Sequence, residues 1–64
     1  MTPEEKGEIS QLVVKVADAA TECRQNIASY EENEDEESKM YEMGYLHALE
    51  WTLNRLDDIL NNGR

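Results

Sequence analysis

The sequence predicts an all-α fold, an antiparallel two-helix hairpin that dimerises into a four-helix bundle. Three observations carry this: two uninterrupted heptad stripes of similar length, a short acidic segment rich in capping residues between them, and an apolar arc on the second helix wider than one partner helix covers. The whole chain, 1–64, is read as one domain: a helix over 3–30, a turn over 31–33 and a helix over 34–61.

The first helix starts at Thr2-Pro3-Glu4-Glu5. Thr2 is the N-cap, Pro3 takes the first helical position where its missing N–H costs nothing, and Glu5 completes a capping box. Beyond it Ile9, Val13, Val16, Ala20, Cys23, Ile27 and Tyr30 advance by alternating steps of four and three. That period places them on one face of a helix. Leu12 and Ala19 widen the stripe on one side, and Lys15, Asp18, Glu22 and Gln25 fall on the solvated face.

The turn lies within Tyr30-Glu-Glu-Asn-Glu-Asp-Glu-Glu-Ser38, where six acidic residues occupy the seven positions from Glu31 to Glu37. Asn33 is expected to cap the second helix, with Glu36 three residues on. Glu34 and Asp35 then face the positive end of the helix dipole. Leu46, Leu49, Leu53, Leu56 and Leu60 form the second stripe, and Asn61-Asn62-Gly63 stops it. Each helix would run for roughly 28 residues, about 42 Å.

Two such helices joined by a turn of about three residues fold back on one another. Folding about position 32 or 33 sets Ile9 against Leu56, Val13 against Leu53 or Thr52, Val16 against Leu49, Ala20 against Tyr45 and Cys23 against Tyr41. Around the second helix the leucine stripe is followed by Tyr41, Tyr45, Thr52 and Ile59, then by Gly44, Ala48 and Trp51, an arc of about 200°. A single partner leaves part of that arc in water, and contiguous apolar surface marks an interface. Tyr41, Gly44, Tyr45, Ala48, Trp51 and Arg55 are therefore the expected contact strip for a second copy or a foreign protein. Gly44 and Ala48 permit close helix approach, and Trp and Arg are common interface hot spots.

Composition narrows the function classes. Fifteen acidic residues stand against six basic ones, a net charge of −9. Direct binding to nucleic acid or to an anionic membrane is disfavoured, and a cationic partner is favoured. With 64 residues there is room for one small core and none for a large enclosed active site. One cysteine, Cys23, allows no internal disulfide, and no charged-then-apolar leader opens the chain. A cytoplasmic protein is expected, with no apolar run long enough to span a membrane.

No catalytic residue, metal or cofactor is expected. His47 and Glu50 lie three apart on a helix face continued by Asn54, and no second ligand pair accompanies them. The acidic run lacks the spacing of a calcium loop. Glu31 and Glu34 have the ExxE spacing of a magnesium-binding helical pyrophosphatase, but Glu50 is followed by Leu53 where the second carboxylate pair belongs. Cys23 lies in the stripe and is expected to be a buried packing residue. Glu31, Glu32, Glu34, Asp35, Glu36 and Glu37 remain as a candidate acidic recognition surface. Asn33 to Glu36 is assigned to capping, so Glu31, Glu32 and Glu37 carry charge that local structure does not require.

The segment Tyr41-Glu-Met-Gly-Tyr45-Leu-His-Ala-Leu49-Glu-Trp51-Thr-Leu53 resembles the tyrosine, glycine and Ala-Leu-Glu-Trp helix of small acidic accessory proteins from bacteriophages and prophages. The resemblance implies stoichiometric binding to a host protein, including components of antiviral defence, in the host cell cytoplasm. The expected function is a non-enzymatic inhibitor or modulator whose acidic tip mimics phosphate in a basic cleft. The alternative is a structural oligomerisation or assembly module without inhibitory activity.

Overall fold

The computed structural model describes residues 1–62, and the expected stop signal at Gly63 lies outside the described residues. Helix α1 runs over Pro3–Glu32 and α2 over Glu36–Asn62, packed along their length as a hairpin measuring 47 × 14 × 11 Å. Thr2 begins α1 as its composition predicts. Its backbone is extended, and its hydroxyl accepts from the Glu5 N–H at 3.2 Å while donating to Glu5 Oε1 at 3.2 Å. Ser10, Thr21 and Thr52 sit inside the helices by donating to the carbonyl one turn back, which satisfies their hydroxyls without breaking the ladder.

The turn differs from the sequence expectation by about two residues on either side. Helix α1 continues through Glu32 and ends in a Schellman arrangement: the Glu34 N–H donates to the Glu31 carbonyl at 3.2 Å and the Asp35 N–H to the Tyr30 carbonyl at 2.9 Å. Glu34 supplies the left-handed residue this motif requires, with φ 56°. Asn33 is therefore the C-cap of α1, its side-chain Nδ2 donating to the Ser29 carbonyl at 3.0 Å. The N-cap of α2 is Asp35, not Asn33. Asp35 Oδ1 accepts from the Ser38 N–H at 3.2 Å, and its carbonyl accepts the first helical bond from Lys39 at 3.1 Å. Both residues are good caps by composition, and the closure of α1 decides between them.

The seam is thin. Ile9, Val13, Val16, Ile27 and Tyr30 of α1 are half-buried, as are Leu46, Leu49, Leu53, Leu56 and Leu60 of α2, and only Ala20 and Cys23 are fully buried among the described residues. Both stripes thus face one another as predicted, but the pairing nearest the turn is corrected. Cys23 meets Glu42, and Tyr41 and Tyr45 lie outside the seam. Counting residues back from the turn finds the right level along the rod and ignores azimuth. Glu42, four residues before Leu46, continues the leucine stripe, whereas Tyr41 is rotated from it by roughly 100°.

A glutamate in the left-handed region carries a penalty that glycine escapes, partly offset by glycine's larger unfolded-state entropy. Glu34→Gly is expected to stabilise the hairpin by about 0.5–1 kcal/mol. Thermal unfolding followed by circular dichroism should show a midpoint several degrees higher, with Glu34→Val shifted the other way.

Candidate functional site

The acidic run divides by the work its residues do. Asp35 caps α2, and Glu31 Oε1 receives the Lys39 ammonium at 3.0 Å across the turn. The hydrogen bond and charge of Glu31, with a smaller contribution from Glu36, hold the Lys39 ammonium above the ordinary lysine pKa range. Glu31 is thus not one of the charges left over from local structure. Glu36 and Glu37 occupy the first turn of α2, where the helix dipole favours them. Glu32, Glu34, Glu36 and Glu37 are exposed carboxylates at one end of a rod 47 Å long. They form a dense negative surface whose field weakens with salt.

Behind the tip, the α2 face of the seam stops being apolar. Lys39 and Glu42 occupy the two heptad positions that precede Leu46, opposite the half-buried Ile27 and Tyr30 and the buried Cys23. The Glu42 carboxylate accepts from the Cys23 thiol, and its Oε2 is buried without a hydrogen-bond partner. Burial pushes the Cys23 thiol above the ordinary pKa range, reinforced by the bond to Glu42 and the charges of Glu42 and Glu22 and opposed by Arg24. A neutral, enclosed thiol of this kind is a poor nucleophile. Glu42 was missed from the sequence, although extending the leucine stripe back by four residues reaches it.

The predicted contact strip lies wholly on the surface. Tyr41, Gly44, Tyr45, Ala48, Trp51 and Arg55 are all exposed, Tyr41 at 81% and Trp51 at 67%. A Cβ built on Gly44 would meet nothing within 4 Å, so the space that glycine leaves is open to a partner. The strip has two parts. Tyr41, Tyr45, Ala48, Thr52, Arg55 and Ile59 repeat at heptad spacing, one residue behind the seam stripe, while Gly44 and Trp51 lie further round, with Trp51 almost opposite the seam. Met40, 70% exposed, extends this outer edge and was not recognised in the sequence. Between the helices, beside Tyr45, a half-open depression of about 210 Å³ is lined by Ala19, Glu22, Cys23, Asn26 and Tyr45.

His47, Glu50 and Asn54 share an exposed face of α2, and no group of three or more metal-ligating side chains occurs among the described residues. No helix among them is long and apolar enough to cross a membrane.

Two measurements test this arrangement. Glu42→Leu completes the leucine stripe and removes an unpartnered buried carboxylate oxygen, so unfolding in urea should show a gain of about 1–3 kcal/mol. The raised Cys23 pKa means that the unfolded chain loses the thiol proton first as pH rises. Its contribution is therefore complete below about pH 9 and declines above it. Unfolding midpoints taken across that range should fall more steeply for the wild type than for Cys23→Ala. Comparison with protein-family models, with curated proteins and with solved structures returned no match, so the functional reading rests on the chain's own surfaces.

Proposed function

We infer that this protein is a non-enzymatic protein-binding module, a phage-type inhibitor or modulator of a host protein in the host cell cytoplasm that acts by stoichiometric occupation. The observation that carries the reading is the distribution of side chains. Large apolar and aromatic residues, Tyr41, Tyr45, Trp51 and Met40, are presented to solvent while, among the described residues, only Ala20 and Cys23 are fully buried. Side chains this exposed have more apolar surface to offer a partner than they give to the hairpin's own core.

The acidic tip supplies the second contact. Four exposed carboxylates within six residues of chain, Glu32, Glu34, Glu36 and Glu37, concentrate negative charge as a substitute for phosphate, and a basic cleft that binds nucleic acid or nucleotide would accept them. A host enzyme of the antiviral defence is the class of target the phage resemblance suggests. The competing reading, an oligomerisation or assembly module without inhibitory activity, is favoured by the heptad spacing of Tyr41, Tyr45, Ala48, Thr52, Arg55 and Ile59.

Replacing Glu32, Glu34, Glu36 and Glu37 with Gln, while keeping Glu31 and Asp35 for the turn, separates the two. The variant is expected to remain helical by circular dichroism and to lose its partner from a bacterial lysate. The wild-type complex should weaken as salt rises. Capture that is unchanged by both the substitutions and the salt would exclude the tip, and a helical variant with full biological activity would favour the assembly module.

A further inference from the structure

Helix α2 carries two heptad stripes side by side. Glu42, Leu46, Leu49, Leu53, Leu56 and Leu60 form the seam, and Tyr41, Tyr45, Ala48, Thr52, Arg55 and Ile59 form the second stripe, rotated by roughly 100°. A helix with one neighbour needs one stripe. A helix at the corner of a four-helix bundle has two neighbours at about right angles and needs both. On the same broad side of the hairpin α1 presents Leu12, 46% exposed, and half-buried Ala19 and Asn26, among Glu8, Lys15 and Glu22. The depression beside Tyr45 is lined from this side.

We propose that a second copy of the chain covers this side through a two-fold axis parallel to the helices, so that α2 of each copy packs antiparallel on α1 of the other and each Tyr41 enters the other copy's depression. Area, size, level and charge support the arrangement. The hairpin exposes 5005 Å², roughly 800 Å² more than the about 4,200 Å² expected of a folded monomer of this length. That excess matches what one partner contributes to a standard interface. A cavity of about 150 Å³ accepts benzene, and the 210 Å³ here has room for a phenol ring.

Because Cys23 lies opposite Glu42, the parallel axis brings Tyr41 level with Glu22 and Asn26 of the second copy. Tyr45 lies over Ala19, a large residue on a small one, and Arg55 comes between Glu8 and Leu12, setting a cation beside a carboxylate. A two-fold axis across the helices and centred on Lys15 would instead oppose Lys15 to Lys15 and Glu8 to Glu22. The outer edge of α2 with Trp51, and the tip, remain free for the partner of the proposed function, on which the dimer does not depend.

The parallel axis places both acidic tips at one end, where their repulsion is screened over about 8 Å at physiological salt. Self-association should therefore strengthen with salt. Sedimentation velocity on the full chain at micromolar concentrations should give a dimer. Tyr41→Ala, which changes an 81% exposed side chain and should leave helicity intact, is expected to raise its Kd at least tenfold. Spin labels at Glu32→Cys, with the buried Cys23 unreacted, should lie well within the 47 Å rod length of one another. A chain that stays monomeric throughout, a helical Tyr41→Ala variant that dimerises like the wild type, or label distances at or beyond the rod length would each overturn the proposal.

Discussion

A leucine stripe can bury one face of a helix against one neighbour, and in this chain α1 is the neighbour. Leu46, Leu49, Leu53, Leu56 and Leu60 meet a face built from Ile9, Val13, Val16 and Ala20, and none of the leucines is fully buried. Two cylinders in contact along a line cannot enclose large side chains on all sides. Among the described residues, only small ones at the line of contact, Ala20 and Cys23, lose nearly all their exposure. The exposed surface, the rod shape and the availability of the tyrosine stripe all follow from this single seam.

The seam also sets the character of the two ends. At the end remote from the turn it is leucine against aliphatic residues, whose association is non-directional and independent of charge. Toward the turn α2 presents Glu42 and Lys39, and directional contacts replace apolar packing: the Cys23 thiol with Glu42, Glu31 with Lys39, and the caps formed by Asn33 and Asp35. Exposed ion pairs contribute little to stability, so the caps and the buried Cys23 hold this end. This end also carries the densest charge of the chain.

The tip illustrates how one composition can hold two kinds of carboxylate. Glu31 and Asp35 are committed to an ion pair and a cap, whereas Glu32 and Glu34 make no side-chain contact of that sort. Glu34 is set apart further by its left-handed backbone, a conformation that places its side chain where a helical residue's would not lie. The charge density of the segment is therefore a sum of structural necessity and surplus, and the surplus is what a partner would meet.

Sequence periodicity alone determined the two helices, the hairpin and the faces that form the seam, because a heptad repeat specifies which residues share a face and a short turn leaves no other way to bury both faces. The tertiary structure decided three further things: which of two cap-forming residues two positions apart starts α2, which of two adjacent residues faces Cys23, and which of the tip's carboxylates is paired. Asn33 and Asp35, Tyr41 and Glu42, and Glu31 and Glu32 are equivalent by composition or spacing. The differences of a residue or a single azimuthal step that separate them arise only when α1 closes in its left-handed cap at Glu34 and the leucines fix the rotation of α2 against it.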